Sequence, residues 1–566
     1  MVLARLEADR LILDNTGFRD RDACHTVPGS KYKDGIWSAP VSWAAIKVAR
    51  SLWPELETDV DLTAWAWGEY ERRVRPAMEW RTVALDPANE AWCPVKGLYG
   101  YQQTGANWIQ AAQGCTLADD MGTGKTVQTI CALEIADAYP ALIVCPSSAK
   151  INWQREYHQW APNRTAVVVT GTATQRRRLI QCRADVYIVG FEALRTHTAL
   201  GRYGSTRLTQ TEKDSKELNN IDWATVIVDE AHRAVDPHAK QTRSIWGVSA
   251  NATLRIALTG TPIVNSPDDL WALLHFEDPI EWPSKTKYLD RYCKLSFNRW
   301  GGMEVDGLNP YNREEFFSLI EPRLLRRPKS LVLPWLPPKV YERRDVAMYP
   351  KQRKAYDEFR TGSVAALDSG SSVAIDPLTV LTRLTQLASA NGDITPQGDY
   401  RMCAPSPKVD ALLELLADLG EAPLVVFAQS RQLIGLAAQA LEKEGITYGL
   451  VQGEQTEYER QHAIDAFQDG RVQVILCTFG AGSEAITLTS AATLCFLQRS
   501  WSMVANRQAE DRVHRPGQNA AQVTIIDLVA TGTVEEHILE VIENKGDMSE
   551  EVVRDKATLR RILGSV

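Results

Sequence analysis

Two separate blocks of this sequence repeat one pattern: a short apolar run ends in a polar or small-residue loop, and a helical segment follows. The runs are continuous rather than alternating, which is typical of strands covered on both faces and therefore of parallel sheets. The predicted strands are 141–145, 186–189, 225–228 and 254–258, then 424–427, 474–477, 493–497 and 523–528. The sequence therefore predicts an α/β protein with two tandem lobes, each a parallel sheet flanked by helices. Ligands of such sheets bind at the carboxyl ends of the strands.

Composition divides the chain into five predicted segments. A tryptophan-rich N-terminal accessory module occupies 1–95, the first lobe 96–280, a helical linker or insertion 281–405, the second lobe 406–545 and a C-terminal helix 546–566. The module contains seven of the 17 tryptophans, which favours a small core built from aromatic side chains. The alternative is that these rings stack on exposed nucleic-acid bases.

The overall charge is not that of a simple nucleic-acid-binding domain, because the formal net charge is -8. Contact with DNA would need local basic strips, and the candidates are 176–178, 323–329 and 343–344, for each of which a solvated surface is the alternative. The ten cysteines form no C-x-x-C pair, which argues against a zinc site and for reduced, buried thiols. No signal peptide or membrane-spanning run is visible, so we expect a cytoplasmic protein without a membrane partner.

The strongest motif follows a strand-like run at 116–118 and opens a helix. It consists of Asp119, Asp120, Met121, Gly122, Thr123, Gly124, Lys125 and Thr126, all of which we expect to contact a nucleotide. Glycines let backbone N–H groups curl around phosphate oxygens, and the helix N-terminus adds a favourable dipole. Lys125 is expected to reach the β- and γ-phosphates, and Thr126 to offer its hydroxyl to Mg²⁺.

A second motif, Asp229-Glu230-Ala231-His232, ends a buried strand and spells a DEAH box. Two carboxylates in such a place are costly unless a cation meets them. We expect Asp229 to hold Mg²⁺ through its water shell and Glu230 to act as the catalytic base for the attacking water. His232 is expected to bond to the next motif and report nucleotide state, although a merely structural histidine is the alternative.

The third motif, 508–518, places Arg512 and Arg515 three residues apart on one helical face. A solvated basic surface is the ordinary explanation for such a pair. Paired with a phosphate loop in another α/β block, however, these residues are typical of arginine fingers acting across a cleft. The predicted catalytic residues are thus Lys125, Glu230, Arg512 and Arg515.

These motifs, in this order, resemble those of the Swi/Snf family of DNA-translocating ATPases within helicase superfamily two. The similar stretches are 101–108, 117–128, 144–156, 258–265, 326–339 and 501–518. In that family the first stretch contacts adenine, which implies this role for Gln102. The spacing is most similar to that of the annealing-helicase branch and its bacterial and phage relatives.

The sequence departs from the family pattern in two places. Residues 482–488 stand where a glycine-rich fifth motif belongs, and Ala485 is the unusual member. Trp501 is followed by Ser502-Met503 instead of Asn-Pro. Neither departure touches the predicted ATP chemistry, although Ala485 bears on the coupling of ATP to DNA.

The resemblance implies two RecA-like lobes that use ATP and Mg²⁺ and hold DNA across both. It implies a DNA-dependent ATPase that translocates along double-stranded DNA and remodels forks or DNA–protein complexes without conventional strand unwinding. Expected partners are double-stranded or forked DNA and protein bound to it, with the chain acting as a nucleoid-associated monomer. One alternative is an ATPase that remodels RNA polymerase or another protein complex on nucleic acid. Another, a scaffold with an inactive ATPase fold, is disfavoured by the intact motifs.

Overall fold

The computed structural model describes residues 2–201, 203, 207–260, 267–297, 303–368, 377–395, 399–482 and 486–543. The chain divides into two compact units, Met1–Pro334 and Trp335–Val566. The predicted C-terminal helix at 546–566 and the unusual Ala485 lie outside the described residues. Within the described part, no helix is long and apolar enough to cross a membrane.

The first unit holds an N-terminal module and a parallel sheet. Its strands are β1 (Leu3–Glu7), β2 (Arg10–Asp14), β3 (Lys31–Lys33), β4 (Ile36–Pro40), β5 (Glu57–Thr58), β6 (Gly114–Leu117), β7 (Ala141–Cys145), β8 (Ala166–Val169), β9 (Val186–Gly190), β10 (Thr225–Asp229), β11 (Leu254–Leu258), β12 (Cys293–Phe297), β13 (Met303–Leu308) and β14 (Leu324–Leu325). Its helices are α1 (Arg21–Thr26), α2 (Trp43–Leu52), α3 (Val60–Glu69), α4 (Arg75–Leu85), α5 (Gly100–Ala112), α6 (Lys125–Ala136), α7 (Lys150–Trp160), α8 (Ala173–Gln181), α9 (Phe191–His197), α10 (Gln210–Lys213), α11 (Lys240–Val248), α12 (Asp269–Glu277), α13 (Lys285–Tyr292), α14 (Arg313–Ile320) and α15 (Lys329–Val332). A π-helical turn, Tyr70–Val74, joins α3 to α4.

The second unit holds the other parallel sheet. Its strands are β15 (Lys339–Val346), β16 (Asn391–Ile394), β17 (Tyr400–Cys403), β18 (Leu424–Ala428), β19 (Tyr448–Val451), β20 (Val474–Thr478), β21 (Thr493–Phe496) and β22 (Val523–Ala530). Its helices are α16 (Pro350–Asp368), α17 (Pro377–Ser389), α18 (Pro407–Leu419), α19 (Arg431–Lys443), α20 (Glu457–Gln468), α21 (Phe479–Gly482), α22 (Met503–Val513) and α23 (Val534–Glu543).

The N-terminal module is built on a five-stranded sheet in the order β3-β4-β2-β1-β5. Its core is mainly aliphatic, with Leu11 and Val48 buried beside Trp37. Of the module's seven tryptophans, all of which the structure describes, only Trp37 is buried, and Trp67 and Trp92 are 65% and 75% exposed. Trp53 and Trp65 pack against this core from partly buried positions, so the expectation of an aromatic core is confirmed for three of the seven tryptophans. Small and branched side chains fill the rest of the space between sheet and helices.

The first parallel sheet has the strand order β14-β6-β11-β10-β7-β9-β8. All of its neighbouring strands run parallel. The four strands predicted for this block are β7, β9, β10 and β11. Their side chains are almost all buried, as expected for strands covered on both faces.

The second parallel sheet has the order β15-β22-β21-β18-β20-β19, again with parallel neighbours. The strands predicted for it are β18, β20, β21 and β22. Together the two sheets confirm the predicted α/β fold class. The segment predicted as a linker, 281–405, is divided between the units, since β14 joins the first sheet and β15 the second. The proposed domain boundaries at 280 and 405 therefore do not coincide with the division between the units.

Candidate nucleotide-binding site

The loop between β6 and α6 has the geometry of a phosphate-binding loop. Gly122 and Gly124 both adopt φ of 77°, a left-handed conformation that glycine accepts at little cost. Lys125 begins α6, and its Nζ donates to the carbonyls of Asp119 and Asp120 at 2.8 and 3.2 Å. The chain thus turns tightly around the lysine and leads into a helix N-terminus, where backbone N–H groups and the helix dipole favour an anion.

The side chain of Asp119, which we predicted to contact nucleotide, forms an ion pair with Arg327 instead. Both side chains are 0% exposed. The Nε and the backbone N–H of Arg327 each donate to Asp119 Oδ1 at 3.0 Å, and Arg327 Nη1 donates to the Tyr101 carbonyl at 2.7 Å. Asp120 likewise accepts a bond from the backbone N–H of Lys329 at 2.9 Å. The Asp119 side chain is therefore buried and holds the loop in place. A contact between Asp119 and a nucleotide stays a prediction.

Gln102, the predicted adenine contact, lies on α5 and supports the same loop. Its Oε1 accepts a bond from the backbone N–H of Tyr99 at 3.1 Å, and its Nε2 donates to the Thr123 carbonyl at 3.2 Å. The Tyr101 hydroxyl donates to that carbonyl at 2.8 Å. A Cβ at Gly124 would lie 2.4 Å from Gln102 Nε2, and together with the φ of 77° this favours glycine at the position. The adenine contact itself stays a prediction.

Asp229 stands at the carboxyl end of β10. Trp153 on α7 donates its indole N–H to Asp229 Oδ2 at 2.9 Å. Burial, reinforced by repulsion from Glu230, raises the pKa of Asp229 to about 6, although Trp153 and Lys125 act in the opposite direction. Ionising this carboxyl is less favourable in the protein than in water, and a bound cation would offset that cost.

Glu230, the predicted base, has a left-handed backbone with φ of 50°. Such a conformation in a residue other than glycine is often retained at functional sites. His232 Nδ1 lies 3.3 Å from Glu230 Oε2 and 3.3 Å from Thr259 Oγ1. The predicted contact between His232 and the next motif is therefore confirmed, while its role in reporting nucleotide state stays a prediction.

The third motif also meets the glycine loop. A Cβ on Gly260 would lie 2.9 Å from Met121 Cγ, so the two loops are in direct contact at these residues. The rest of that motif, 261–265, lies outside the described residues. Contacts of Met121 with Gly260 and of His232 with Thr259 thus bring the loops after β6 and β10 against the described residues that follow β11.

The residues present fit a magnesium ion held jointly with a nucleotide. Among the described residues, no group of three or more His, Cys, Asp or Glu side chains could hold a metal. Mg²⁺ in phosphate-transfer sites is typically bound by one or two protein oxygens together with phosphates and water. The Asp229 carboxylate and the Thr126 hydroxyl are oxygen donors of that kind.

In the second unit, the two arginines of the last motif contact the fifth motif. Arg512 lies in the last turn of α22 and Arg515 lies beyond the end of that helix, so the prediction that both share one helical face is wrong. Arg512 and Arg515 each donate an Nη1 bond to the Ile486 carbonyl, at 3.3 and 3.1 Å. Ile486 directly follows 483–485, which lie outside the described residues. A shift of the fifth motif would therefore be transmitted to both arginines through one carbonyl.

Most residues of the three basic clusters are engaged with protein groups. Arg177 pairs with Glu217, Arg323 with Asp278, Arg343 with Asp345 and Glu536, and Arg344 with Glu342 and Asp418. Arg327 is buried against Asp119, whereas its neighbour Arg326 is exposed. These contacts favour structural roles for most of the clusters, and their contact with DNA stays a prediction.

Sequence reasoning missed two positioning residues, Trp153 and Arg327. Trp153 is 1% exposed. A buried indole N–H normally requires an acceptor, so a tryptophan predicted to be buried would also be expected to contact a polar partner. Arg327 lies two residues after the apolar strand β14, which favours burial. The neighbouring arginines and lysine favour a basic surface instead, so the sequence did not predict the positioning role of Arg327.

The SNF2-related domain matches residues 101–392, and the helicase conserved C-terminal domain matches residues 407–517. The first match alone covers more than half of the chain. The chain therefore belongs to the SNF2-related (Swi/Snf) family of helicase-type, ATP-dependent enzymes, which confirms the predicted family. The annealing-helicase branch stays a prediction.

Several relatives share most of the matched region. The chain is 28% identical to TATA-binding protein-associated factor mot1 of Aspergillus fumigatus, over 81% of the chain and 27% of that protein. It is 28% identical to an uncharacterized ATP-dependent helicase of Mycoplasma pneumoniae, over 81% and 43%. It is 29% identical to Chromodomain-helicase-DNA-binding protein 1-like of Mus musculus, over 84% and 52%. The chain thus spans between a quarter and about half of the length of these relatives.

One solved structure with sequence similarity is the Sulfolobus solfataricus SWI2/SNF2 ATPase core in complex with dsDNA. It is 24% identical to this chain, with 84% of this chain and 98% of that chain covered, at a TM-score of 0.36. A TM-score this low does not establish a shared overall arrangement.

Proposed function

We propose that this chain is a DNA-dependent ATPase that translocates along double-stranded DNA and remodels forks or DNA–protein complexes without conventional strand unwinding. The observation that supports the chemistry best is the placement of Lys125, Asp229 and Glu230. The glycine loop follows β6 and the acidic pair follows β10, and a single strand, β11, separates these two in the sheet. Family membership supports ATP as the nucleotide.

Each residue of the candidate site has a separate proposed role. Lys125 neutralises the β- and γ-phosphates, and the N–H groups of the glycine loop cradle them. Asp229 and Thr126 would hold Mg²⁺, which would neutralise charge on the phosphate oxygens. Glu230 orients the attacking water and accepts its proton. Gln102 contacts the adenine.

Arg512 and Arg515 are proposed to supply positive charge to the γ-phosphate as negative charge develops in the transition state. A guanidinium suits this task because its planar fork matches two phosphate oxygens at once. Their shared bond to Ile486 supports a link between this chemistry and the fifth motif, which we propose faces DNA.

DNA as the partner is supported by the names of two relatives, a TATA-binding protein-associated factor and a Chromodomain-helicase-DNA-binding protein 1-like. The first of these names also favours a second candidate, in which the ATPase remodels a protein complex on nucleic acid. RNA polymerase would be one such complex. The two candidates differ in whether naked DNA is sufficient to stimulate hydrolysis.

The test measures the steady-state ATPase rate of the full chain without DNA and then with duplex, single-stranded or forked DNA. Duplex or fork should stimulate hydrolysis, and a triplex-forming strand should be displaced from duplex in an ATP-dependent way, with Lys125→Ala as the inactive control. Binding should also weaken steeply as salt rises, because phosphate contacts release counterions. Hydrolysis that naked DNA does not change would contradict the proposal and favour remodelling of a protein complex.

A further inference from the structure

A groove lined by aromatic side chains lies between α2 and the segment formed by α3 and the following turn. Its lining residues are Trp43, Ile46, Lys47 and Arg50 on one side and Thr63, Ala66, Trp67 and Tyr70 on the other. Both sets have the spacing i, i+3, i+4, i+7, which places each set on one face of its helix. The cavity measures about 360 Å³, which is within the range of sites for small ligands. We call it the aromatic groove.

The rings in the aromatic groove form a short ladder. Trp43 and Tyr70 have centroids 5.8 Å apart with planes inclined by 31°, and Tyr70 and Trp67 have centroids 5.7 Å apart at 29°. Trp67, at the end of the ladder, is 65% exposed. A tryptophan that extends an ordered ladder into solvent offers a flat π-face on which another ring can stack.

Positive charge accompanies the rings. Lys47 Nζ lies 5.9 Å from the centroid of the Trp43 ring, and Arg50 is exposed one helical turn further along α2. Within the described part of the chain, neither cation pairs with a carboxylate, and no acidic side chain lines the groove. Flat apolar rings beside unneutralised cations suit a ligand that combines planar rings with negative charge.

The aromatic groove is also anchored firmly to the rest of the first unit. The backbone N–H of Trp43 donates to Glu281 at 3.0 Å, and Glu281 is 4% exposed. Arg73, just after Tyr70, pairs with Asp278 at 2.8 Å. Both walls of the groove are thus tied to the segment that follows α12, so the groove has a preformed shape.

We propose that the aromatic groove binds unpaired bases of a single nucleic-acid strand. One or two bases stack on Trp67 and the rings behind it, and the adjoining phosphates meet Lys47 and Arg50. This site goes beyond the proposed function, because tracking along a duplex needs backbone contacts and no exposed bases. It would give the motor a means of engaging DNA where strands are already separated.

The test uses the full chain and a fluorescein-labelled oligothymidylate, with affinity measured by fluorescence anisotropy. Trp67→Ala should weaken binding by about tenfold, as is typical for loss of one stacking ring. Trp92→Ala, which removes an equally exposed tryptophan elsewhere in the module, should leave affinity unchanged. Trp67→Leu keeps apolar area without a π-face and should resemble Trp67→Ala, which separates stacking from apolar contact.

Charge is tested in the same assay. Lys47→Glu with Arg50→Glu should weaken binding of oligothymidylate and of an abasic oligomer alike, whereas Trp67→Ala should affect only the oligomer that carries bases. The charge-matched control is Lys31→Glu with Lys33→Glu, on the exposed strand β3. An oligothymidylate with 5-iododeoxyuridine should crosslink to peptides that contain Trp43 or Trp67.

Equal effects of the Trp67 and Trp92 variants, or crosslinks confined to other parts of the chain, would overturn the proposal. So would a sedimentation coefficient that depends on Trp67, since the groove would then receive a protein, such as a second copy of the chain. Duplex-stimulated hydrolysis is measured separately and should survive Trp67→Ala. Wild-type protein that binds oligothymidylate through Trp67 without any DNA-stimulated hydrolysis would remove the proposed function and leave this site standing.

Discussion

The two large sheets are both parallel but carry different residues at the carboxyl ends of their strands. In the first sheet, the glycine loop follows β6 and the carboxylates of Asp229 and Glu230 end β10. In the second sheet, β20 leads into α21 and the fifth motif, and β21 leads into α22, which carries Arg512 and is followed by Arg515. One sheet therefore offers a phosphate cradle with acidic groups, and the other offers guanidinium groups. A buried parallel sheet sets where side chains gather, while the loops decide the chemistry.

Both sheets also hold this edge in place with a buried arginine. In the first, Arg327 pairs with Asp119 beneath the glycine loop, and both side chains are 0% exposed. In the second, Arg499 bonds Glu510 on α22 at 2.8 Å and Asp527 on β22 at 2.7 Å. Each arginine positions a segment of the candidate site through buried carboxylates, although Arg327 belongs to a cluster that the sequence offered for contact with DNA. Two kinds of residue thus stand at these edges, those proposed to act on the nucleotide and those that position them.

The largest expected effect concerns the arginines of the second sheet. Arg515→Ala should lower DNA-stimulated turnover by roughly 10³–10⁵, the range known for arginine fingers, and leave nucleotide binding largely intact. Arg515→Lys should rescue poorly, because an ammonium lacks the planar fork. Single-turnover hydrolysis and nucleotide titration check this, with Arg507→Ala, at an exposed position on the preceding helix α22, as the control. Near-normal turnover would show that the second sheet contributes no catalytic charge.

The first sheet is tested by Glu230→Gln. Loss of the base should slow hydrolysis by roughly 10²–10⁴, while ATP still binds because the glycine loop and Lys125 are unchanged. Lys125→Ala should instead weaken binding as well as hydrolysis. Equilibrium binding of a fluorescent ATP analogue separates the two, with the exposed Glu192→Gln as the control. Normal hydrolysis by Glu230→Gln would show that the base lies elsewhere.

The two buried arginines should matter for stability rather than for chemistry alone. Arg327→Leu and Arg499→Leu should each destabilise the protein by roughly 3–5 kcal/mol, because each leaves a buried carboxylate unpaired. Replacing Asp119 by Leu as well should restore much of the stability lost with Arg327. Thermal unfolding measures the effect, and the exposed neighbour variant Arg326→Leu is the control. Equal stability of the Arg327 and Arg326 variants would mean that the buried pair does not support the first sheet.

The smallest expected effect is a pH dependence of the free energy of unfolding that comes from Asp278. This carboxylate pairs with Arg73 of the N-terminal module. Burial alone would raise the pKa of Asp278, but Arg323 and Arg73 outweigh it and lower the pKa to about 2. A depressed pKa stabilises the folded state above the ordinary Asp value of 3.8, and this contribution is lost as pH falls toward 2. It amounts to about 2 kcal/mol. Denaturant unfolding between neutral pH and pH ~3 should show a loss that Asp278→Asn largely removes. If the free energy of unfolding of that variant falls with pH as steeply as in the wild type, the acid sensitivity belongs to other carboxylates.

The strands of the parallel sheets that the sequence did not predict are β8, β14, β15 and β19. Each of these four strands lies at a sheet edge. An edge strand is covered less completely than a central one, so its sequence needs less continuous apolarity. β15 shows this clearly, because its sequence KVYERRDV is mostly exposed and polar. Central strands are buried on both faces and were predicted from their apolar runs.

The candidate site likewise contains parts that the sequence predicted and parts that it did not. The sequence by itself determined the glycine loop and the acidic pair, because the chemistry of each depends on residues a few positions apart. It also determined the fold class, because strands covered on both faces are continuous apolar runs. Only the tertiary structure decided that Asp119 belongs to Arg327, 208 residues away, and that Trp153 holds Asp229, 76 residues away. It also decided that tryptophans expected in a core would instead line a groove. Such pairings depend on strand order and helix placement, which many sequences can satisfy and which no local pattern specifies.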